Sequence, residues 1–125
     1  MPVLAHLRSS ARILVTAALF SAALLAMTCV PASAKWATRW DCIAHYESGG
    51  RWAINTHNGY YGGLQFSLST WRYYGGPNYS GNGYPNYATR AEQIVIARRT
   101  AYDGWGSHKA QGGANAWGGN WYKCS

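Results

Sequence analysis

Hydrophobic and polar positions divide the chain into an N-terminal apolar run and a series of short periodic elements. Arg8 and Arg12 precede an apolar run from Ile13 to Met27, and Ala32-Ser33-Ala34 follows with small residues at the spacing of a cleavage site. This predicts an export signal over 1–34, removed after Ala34. The run falls short of the ~20 residues that span a bilayer, so a retained membrane anchor is the weaker reading. Cys29 leaves with the signal; a lipid anchor on it is the alternative, with Ala26 and Thr28 a poor context for one. Beyond the signal, Trp40, Ile43, Ala44 and Glu47 recur at i, i+3, i+4 and i+7, the stripe of a helix. Thr38 with Asp41 three residues on opens that helix, and Ser48-Gly49-Gly50 closes it.

Asn55 to Gly59 reads as a turn, followed by a short strand or extended stretch over Tyr60 to Phe66. Ser67 caps a short helix from Leu68 to Tyr74, which Gly75-Gly76-Pro77 ends. Asn78 to Tyr87 is a loop too polar and glycine-rich for the core. Thr89-Arg90-Ala91-Glu92 repeats the capping pattern and opens the longest helix, to about Tyr102, with Ile94, Ala97 and Ala101 on its buried stripe. After Gly104 the tail alternates Gly, Ala and Trp, and 105–125 reads as mostly irregular. No repeat, long charge run or linker divides 35–125. The expectation is one α+β domain, predominantly helical, with a short β region.

Composition changes this picture in two ways. In 35–125 the aliphatic and Phe positions are few (Ile43, Ile54, Leu64, Phe66, Leu68, Ile94, Val95, Ile96), a level that on its own suggests disorder. The chain's 7 Trp and 10 Tyr point the other way, because each ring can bury roughly 150–250 Å² and stand in for a missing aliphatic core. Cys42 and Cys124 are the cysteines left after the signal, in a chain bound for an oxidising space, so they are expected to pair. Closing so long a loop stabilises by roughly 4–5 kcal/mol in the chain-entropy model. The chain carries 11 Lys+Arg against 4 Asp+Glu, a formal charge of +7, and remains basic once Arg8 and Arg12 are removed.

Glu47 is the informative residue for chemistry. A carboxyl group on an apolar stripe is partly desolvated, and burial favours the protonated form that a general acid needs. The plain alternative is a solvated glutamate at a frayed helix end. Of the other acids, Asp41 reads as a helix cap, Glu92 as the acid of a capping box and Asp103 as solvated. His45, His57 and His108 are scattered, so no metal site is expected, and the glycine pairs lack the spacing of a phosphate loop, so no cofactor is expected. Basic charge with interleaved Tyr and Trp is compatible with single-stranded nucleic acid. Export argues against nucleic acid as a partner, and the same two features suit a sugar cleft with aromatic platforms in a protein attracted to an anionic cell wall. Arg98-Arg99 reads as the solvated face of the longest helix.

The run Trp40-Asp41-Cys42-Ile43-Ala44-His45-Tyr46-Glu47-Ser48-Gly49-Gly50-Arg51-Trp52, with Asn55 to Phe66, Thr70-Trp71, Ala91 to Ile94 and Trp105, closely resembles the catalytic domain of the resuscitation-promoting factors of actinobacteria. The resemblance implies a small lysozyme-like fold and a secreted, cell-wall-associated glycosidase. The implied substrate is the bond between N-acetylmuramic acid and N-acetylglucosamine in peptidoglycan. It places Glu47 at the family's catalytic glutamate and Tyr60, Gln65 and Thr70 along its glycan cleft. For Trp52 it leaves cleft and packing both open, and for Trp71 packing is favoured. The implied partners are glycan strands and other cell-wall hydrolases, with the protein acting as a monomer. Either product chemistry is open: a hydrolase leaves a reducing end, a lytic transglycosylase a 1,6-anhydro end. The alternative is a non-catalytic peptidoglycan-binding or signalling module. One departure stands out: the family carries a cysteine immediately before the catalytic glutamate, bonded to one near the C-terminus. Here Tyr46 holds that position and Cys42 lies one helical turn earlier. The Gly- and Trp-rich stretch Gln111 to Trp121 is a second departure, open between extending the cleft, binding another wall component and packing.

Overall fold

The computed structural model describes residues 35–125. The expected export signal and Cys29 lie outside these described residues. Helix α1 spans Arg39–Ser48, with Thr38 capping its start through the Asp41 N–H and Gly49 ending it in the left-handed conformation at φ 67°. Trp40, Ile43 and Ala44 are buried along its stripe, as their spacing requires. The stretch from Tyr60 to Phe66 is a hairpin rather than one extended segment. Strand β1 (Tyr60–Tyr61) pairs antiparallel with β2 (Phe66–Ser67), and Gly62 to Gln65 turn between them. Helix α2 (Leu68–Tyr73) follows, capped by Ser67 as expected.

The segment read as a polar loop holds more structure than its composition suggests. Helix α3 covers Gly76–Ser80 and a 3-10 turn covers Pro85–Tyr87, with Pro85 and Asn86 buried. Helix α4 (Arg90–Arg98) starts at a complete capping box: Thr89 accepts from the Glu92 N–H, and Glu92 accepts from the Thr89 N–H at 2.7 Å. Its last turn widens into a π turn over Arg99–Asp103. The buried stripe is Gln93, Ile96, Ala97, Thr100 and Ala101, with Ile94 only half-buried, so the helix is rotated from the expected orientation.

The largest correction concerns the tail, where Gly113–Lys123 forms helix α5, broken in conformation only at Gly118. Glycine and tryptophan are poor helix formers, and packing overrides propensity here. Trp117 is buried against Trp40 at 5.4 Å and Phe66 at 5.9 Å, both edge-on. Trp121 lies beneath the Arg39 guanidinium at 4.2 Å, and Gly113 leaves room for its ring. Cys42 and Cys124 form the expected disulfide, tying α1 to the end of α5. The core is therefore an aromatic cluster with Ile43, Leu64 and Ile96 filling between the rings. No helix among the described residues is long and apolar enough to cross a membrane.

Candidate active site

A groove of about 250 Å³ runs between the hairpin and α5. The hairpin and the start of α2 contribute Tyr60, Gln65, Phe66, Ser67 and Thr70, so three of the four residues expected to bind substrate come together here. Gln65 sits at φ 54°, a left-handed conformation that non-glycine side chains rarely adopt. Its Nε2 donates to the Gly62 carbonyl at 3.0 Å, which holds the side chain in that pose. Thr70 Oγ1 accepts from Ser67 Oγ at 2.9 Å, leaving its own hydroxyl proton available. From the other direction Thr100, Gln111, Asn115, Ala116 and Trp117 line the groove. The π turn explains how they arrive: the Gly104 N–H bonds to the Arg99 carbonyl, and the Thr100 carbonyl accepts from the Gln111 and Gly112 N–H groups at 2.8 and 3.1 Å.

Glu47 is half-buried in the last turn of α1 and does not line that groove directly. Two short connections link it to the groove walls. Ser48 is buried beside it, and its Oγ lies 2.8 Å from the Gly63 carbonyl, in the hairpin turn that ends at Gln65. Asn120 on α5 donates from Nδ2 to Glu47 Oε1 at 2.9 Å, three residues beyond the groove-lining Trp117. Arg51 secures the helix end, donating from Nε to the Ser48 carbonyl at 2.7 Å.

Trp52 is not brought together with Tyr60, Gln65 and Thr70. Its ring lies against Gly63, where a Cβ would sit 2.6 Å from it, and the Arg90 guanidinium stands 5.4 Å from the ring centroid. Trp71 is fully buried and donates from Nε1 to the Asn82 carbonyl at 2.9 Å. Arg98 is exposed, whereas Arg99 is not a solvated face residue: it donates to the Tyr74 carbonyl at 3.0 Å and lies over Tyr79.

The chain's four Asp and Glu have very different surroundings. Asp41 takes two hydrogen bonds from Arg90 at 2.7 and 2.8 Å, and that guanidinium, helped by Thr38, holds its carboxyl below the usual range against the opposing effect of burial. Glu92 closes its capping box, and Asp103 is exposed 3.9 Å from Arg98. Among the described residues Glu47 alone of the four takes a side-chain hydrogen bond from an amide, and no Lys or Arg pairs with it. No group of three or more His, Cys, Asp or Glu side chains converges among the described residues as a metal site would require.

Sequence reasoning gave Thr100 no role, and it left Gln111 to Trp121 open between cleft, other wall contacts and packing without singling out Gln111, Asn115, Trp117 or Asn120. The signal for them was the i, i+4, i+8 spacing of Gly113, Trp117 and Trp121, obscured by the glycine content of the tail. It also gave no role to Gln93, which is fully buried on α4. Gln93 accepts from the Gly63 N–H at 2.9 Å and donates to the Trp52 and Ala88 carbonyls at 2.8 and 3.0 Å, clasping the hairpin turn to α4.

A small, mostly helical domain with a two-stranded hairpin and one disulfide is the arrangement of a lysozyme-like transglycosylase fold. The chain matches the transglycosylase-like domain over residues 34–120 and belongs to that family. It is 55% identical over 80 residues to resuscitation-promoting factor Rpf1 of Corynebacterium glutamicum, covering 63% of this chain and 40% of that protein. It is 47% identical over 78 residues to resuscitation-promoting factor Rpf of Micrococcus luteus, covering 62% of this chain and 33% of the relative. With RpfE of Mycobacterium tuberculosis the identity is 49% over 67 residues, 54% of this chain and 36% of the relative. The matched region thus spans well under half the length of these relatives.

Proposed function

We propose that the protein cleaves the β-1,4 bond between N-acetylmuramic acid and N-acetylglucosamine in peptidoglycan, with Glu47 as the general acid and then the base. The observation that carries this reading is the division of labour among the four carboxylates: Asp41 is paired to Arg90, Glu92 closes a cap, Asp103 is exposed, and Glu47, linked to the groove walls through Asn120 and the neighbouring Ser48, has only an amide on its carboxylate. Membership of the transglycosylase-like family and similarity to resuscitation-promoting factors support the substrate class. In this reading Tyr60, Gln65 and Thr70 bind the glycan in the groove, and Trp52 acts indirectly by packing beneath the hairpin turn. The protein is secreted as 35–125 after loss of 1–34, acts as a monomer at the cell wall, and promotes wall remodelling and renewed growth.

Two-carboxylate glycosidases place their acids about 5–9.5 Å apart across the scissile bond. Asp41 and Glu92 are held by other groups, so a single-acid route fits this chain better. Glu47 protonates the glycosidic oxygen, the substrate's own N-acetyl group supports the oxocarbenium-like centre, and the Glu47 carboxylate then takes a proton from the incoming oxygen. If that oxygen is the muramoyl 6-hydroxyl the product is a 1,6-anhydro end; if it is water, a reducing end.

The test is digestion of purified peptidoglycan by the oxidised protein and by Glu47→Gln, with released muropeptides identified by mass spectrometry. Cleavage lost in the variant, with folding and glycan binding retained, is the expected result. Release that persists in Glu47→Gln removes the acid assignment. Glycan binding without release by either protein replaces this reading with that of a binding module.

A further inference from the structure

The stretch Gln111 to Trp121 does more than line the groove: it delivers a side chain directly to Glu47. Asn120 Nδ2 donates to Glu47 Oε1 at 2.9 Å, while Asn120 Oδ1 faces Lys123 Nζ at 3.4 Å. Lys123 Nζ in turn stands 5.0 Å from the ring centroid of Tyr46, the neighbour of Glu47 on α1. An ammonium can only donate, so Lys123 holds the oxygen end of the amide and turns its NH₂ end toward the carboxylate. The disulfide between Cys42 and Cys124 fixes the end of α5 from which these contacts are made.

We propose that Asn120 is a positioning residue for Glu47, oriented by Lys123 and Tyr46; this rests on Glu47 being the acid that acts on the glycan. An amide N–H is better accepted by a carbonyl oxygen than by a hydroxyl oxygen, so the bond at Oε1 favours Oε2 as the site of a proton on the carboxyl group. Oε2 has no hydrogen-bond partner among the described residues, which leaves it for the substrate. Asn120 therefore holds the rotamer of the acid and favours Oε2 as the oxygen from which the proton leaves. A misplacement of about 1 Å in such a group is enough to lower turnover about 100-fold.

The experiment compares the oxidised wild-type protein with Asn120→Asp, Asn120→Ala, Lys123→Met and Glu47→Gln in peptidoglycan cleavage. Asn120→Asp keeps the shape of the side chain but has no N–H to give near neutral pH. The expected result is a fall of tenfold or more in kcat for both Asn120 variants with KM and thermal midpoint little changed, and a smaller fall for Lys123→Met. Wild-type turnover in Asn120→Asp would overturn the proposal, since a purely packing role is preserved there. If Glu47→Gln retains cleavage, the acid assignment and this inference fall together; if Glu47→Gln is inactive and Asn120→Asp is not, this inference alone falls. A readout independent of turnover is the Asn120 side-chain amide in ¹⁵N-labelled protein. Its two protons should resolve widely and move on Glu47→Ala, and an amide indifferent to that change overturns the positioning contact.

Discussion

Replacing Gln93 by leucine isolates the contact that holds the groove's hairpin to the rest of the fold. The side chain is fully buried and makes three hydrogen bonds, to the Gly63 N–H and to the Trp52 and Ala88 carbonyls. Leucine has similar bulk and no polar atoms, so all three partners lose their bond at once. Gly63 and Ala88 are buried, and an unsatisfied buried group costs about 1–3 kcal/mol; the half-buried Trp52 carbonyl adds about 1 kcal/mol. Extra apolar burial offsets about 1–2 kcal/mol of this, leaving a net loss of about 2–5 kcal/mol. For a domain of this size that lowers Tm by about 10–30 °C. Urea and thermal unfolding followed by tryptophan fluorescence reads the change, with an unaltered m-value showing that the unfolded state is the same. Gln93→Glu separates the contacts, since it keeps an acceptor for Gly63 but has no donor for the two carbonyls when ionised. A Gln93→Leu variant within about 0.5 kcal/mol of wild type would refute the clasp.

Two further predictions concern the links between α1 and distant elements. Cys124→Ser opens a disulfide with a sequence separation of 82 and should destabilise by about 4.5 kcal/mol in the chain-entropy model. Denaturation with and without reductant checks it, because the variant should be insensitive to reductant while wild type falls to its level. For Asp41, the Arg90 pair depresses the folded-state acid below the ordinary value of 3.8. Its contribution is thus fully present above that value and is lost as pH falls through the lower folded value. With side-chain exposures of 42% for Arg90 and 21% for Asp41, solvent screening limits the pair to about 1 kcal/mol or less. Arg90→Met should therefore lower stability at about pH 6, with a deficit that shrinks as pH falls below 3.8, measured as urea midpoints; a deficit that does not change with pH would show that the loss is packing against Trp52.

What could be read from the chain depended on whether local rules and packing agreed. Thr38, Ser67 and the Thr89–Glu92 box announced three helix starts because a cap is a local hydrogen bond, complete within four residues. Glu47 was visible because the stripe of α1 ends on it. The orientation of α4 turns on Gln93 against Ile94: the apolar side chain looks like the inward one, but the glutamine has three partners waiting in other segments. No local pattern reports on such partners. Helix α5 escaped for the opposite reason, since its glycines argue against helix locally while one of them, Gly113, is required by packing to admit the Trp121 ring. Arg99 and Trp52 likewise took their places from residues far along the chain.

The position of the staple and the make-up of the site are connected. With the cysteine at position 42 rather than beside the glutamate, the covalent tie between α1 and the chain's end moves one turn toward the helix start. That frees position 46 for an exposed tyrosine, and Tyr46 meets Lys123 on the last turn of α5. The disulfide and this aromatic–cation contact then bracket the same helical turn, with Asn120 between the groove-lining Trp117 and Cys124. A covalent anchor at Cys124 and a polar contact to Glu47 from Asn120, four residues before it, hold the last turn of a glycine-rich tail, with poor helix propensity of its own, against α1. Because the glutamate's hydrogen-bond partner belongs to the element that the disulfide holds, conditions that reduce Cys42–Cys124 act on the geometry at Glu47 as well as on global stability.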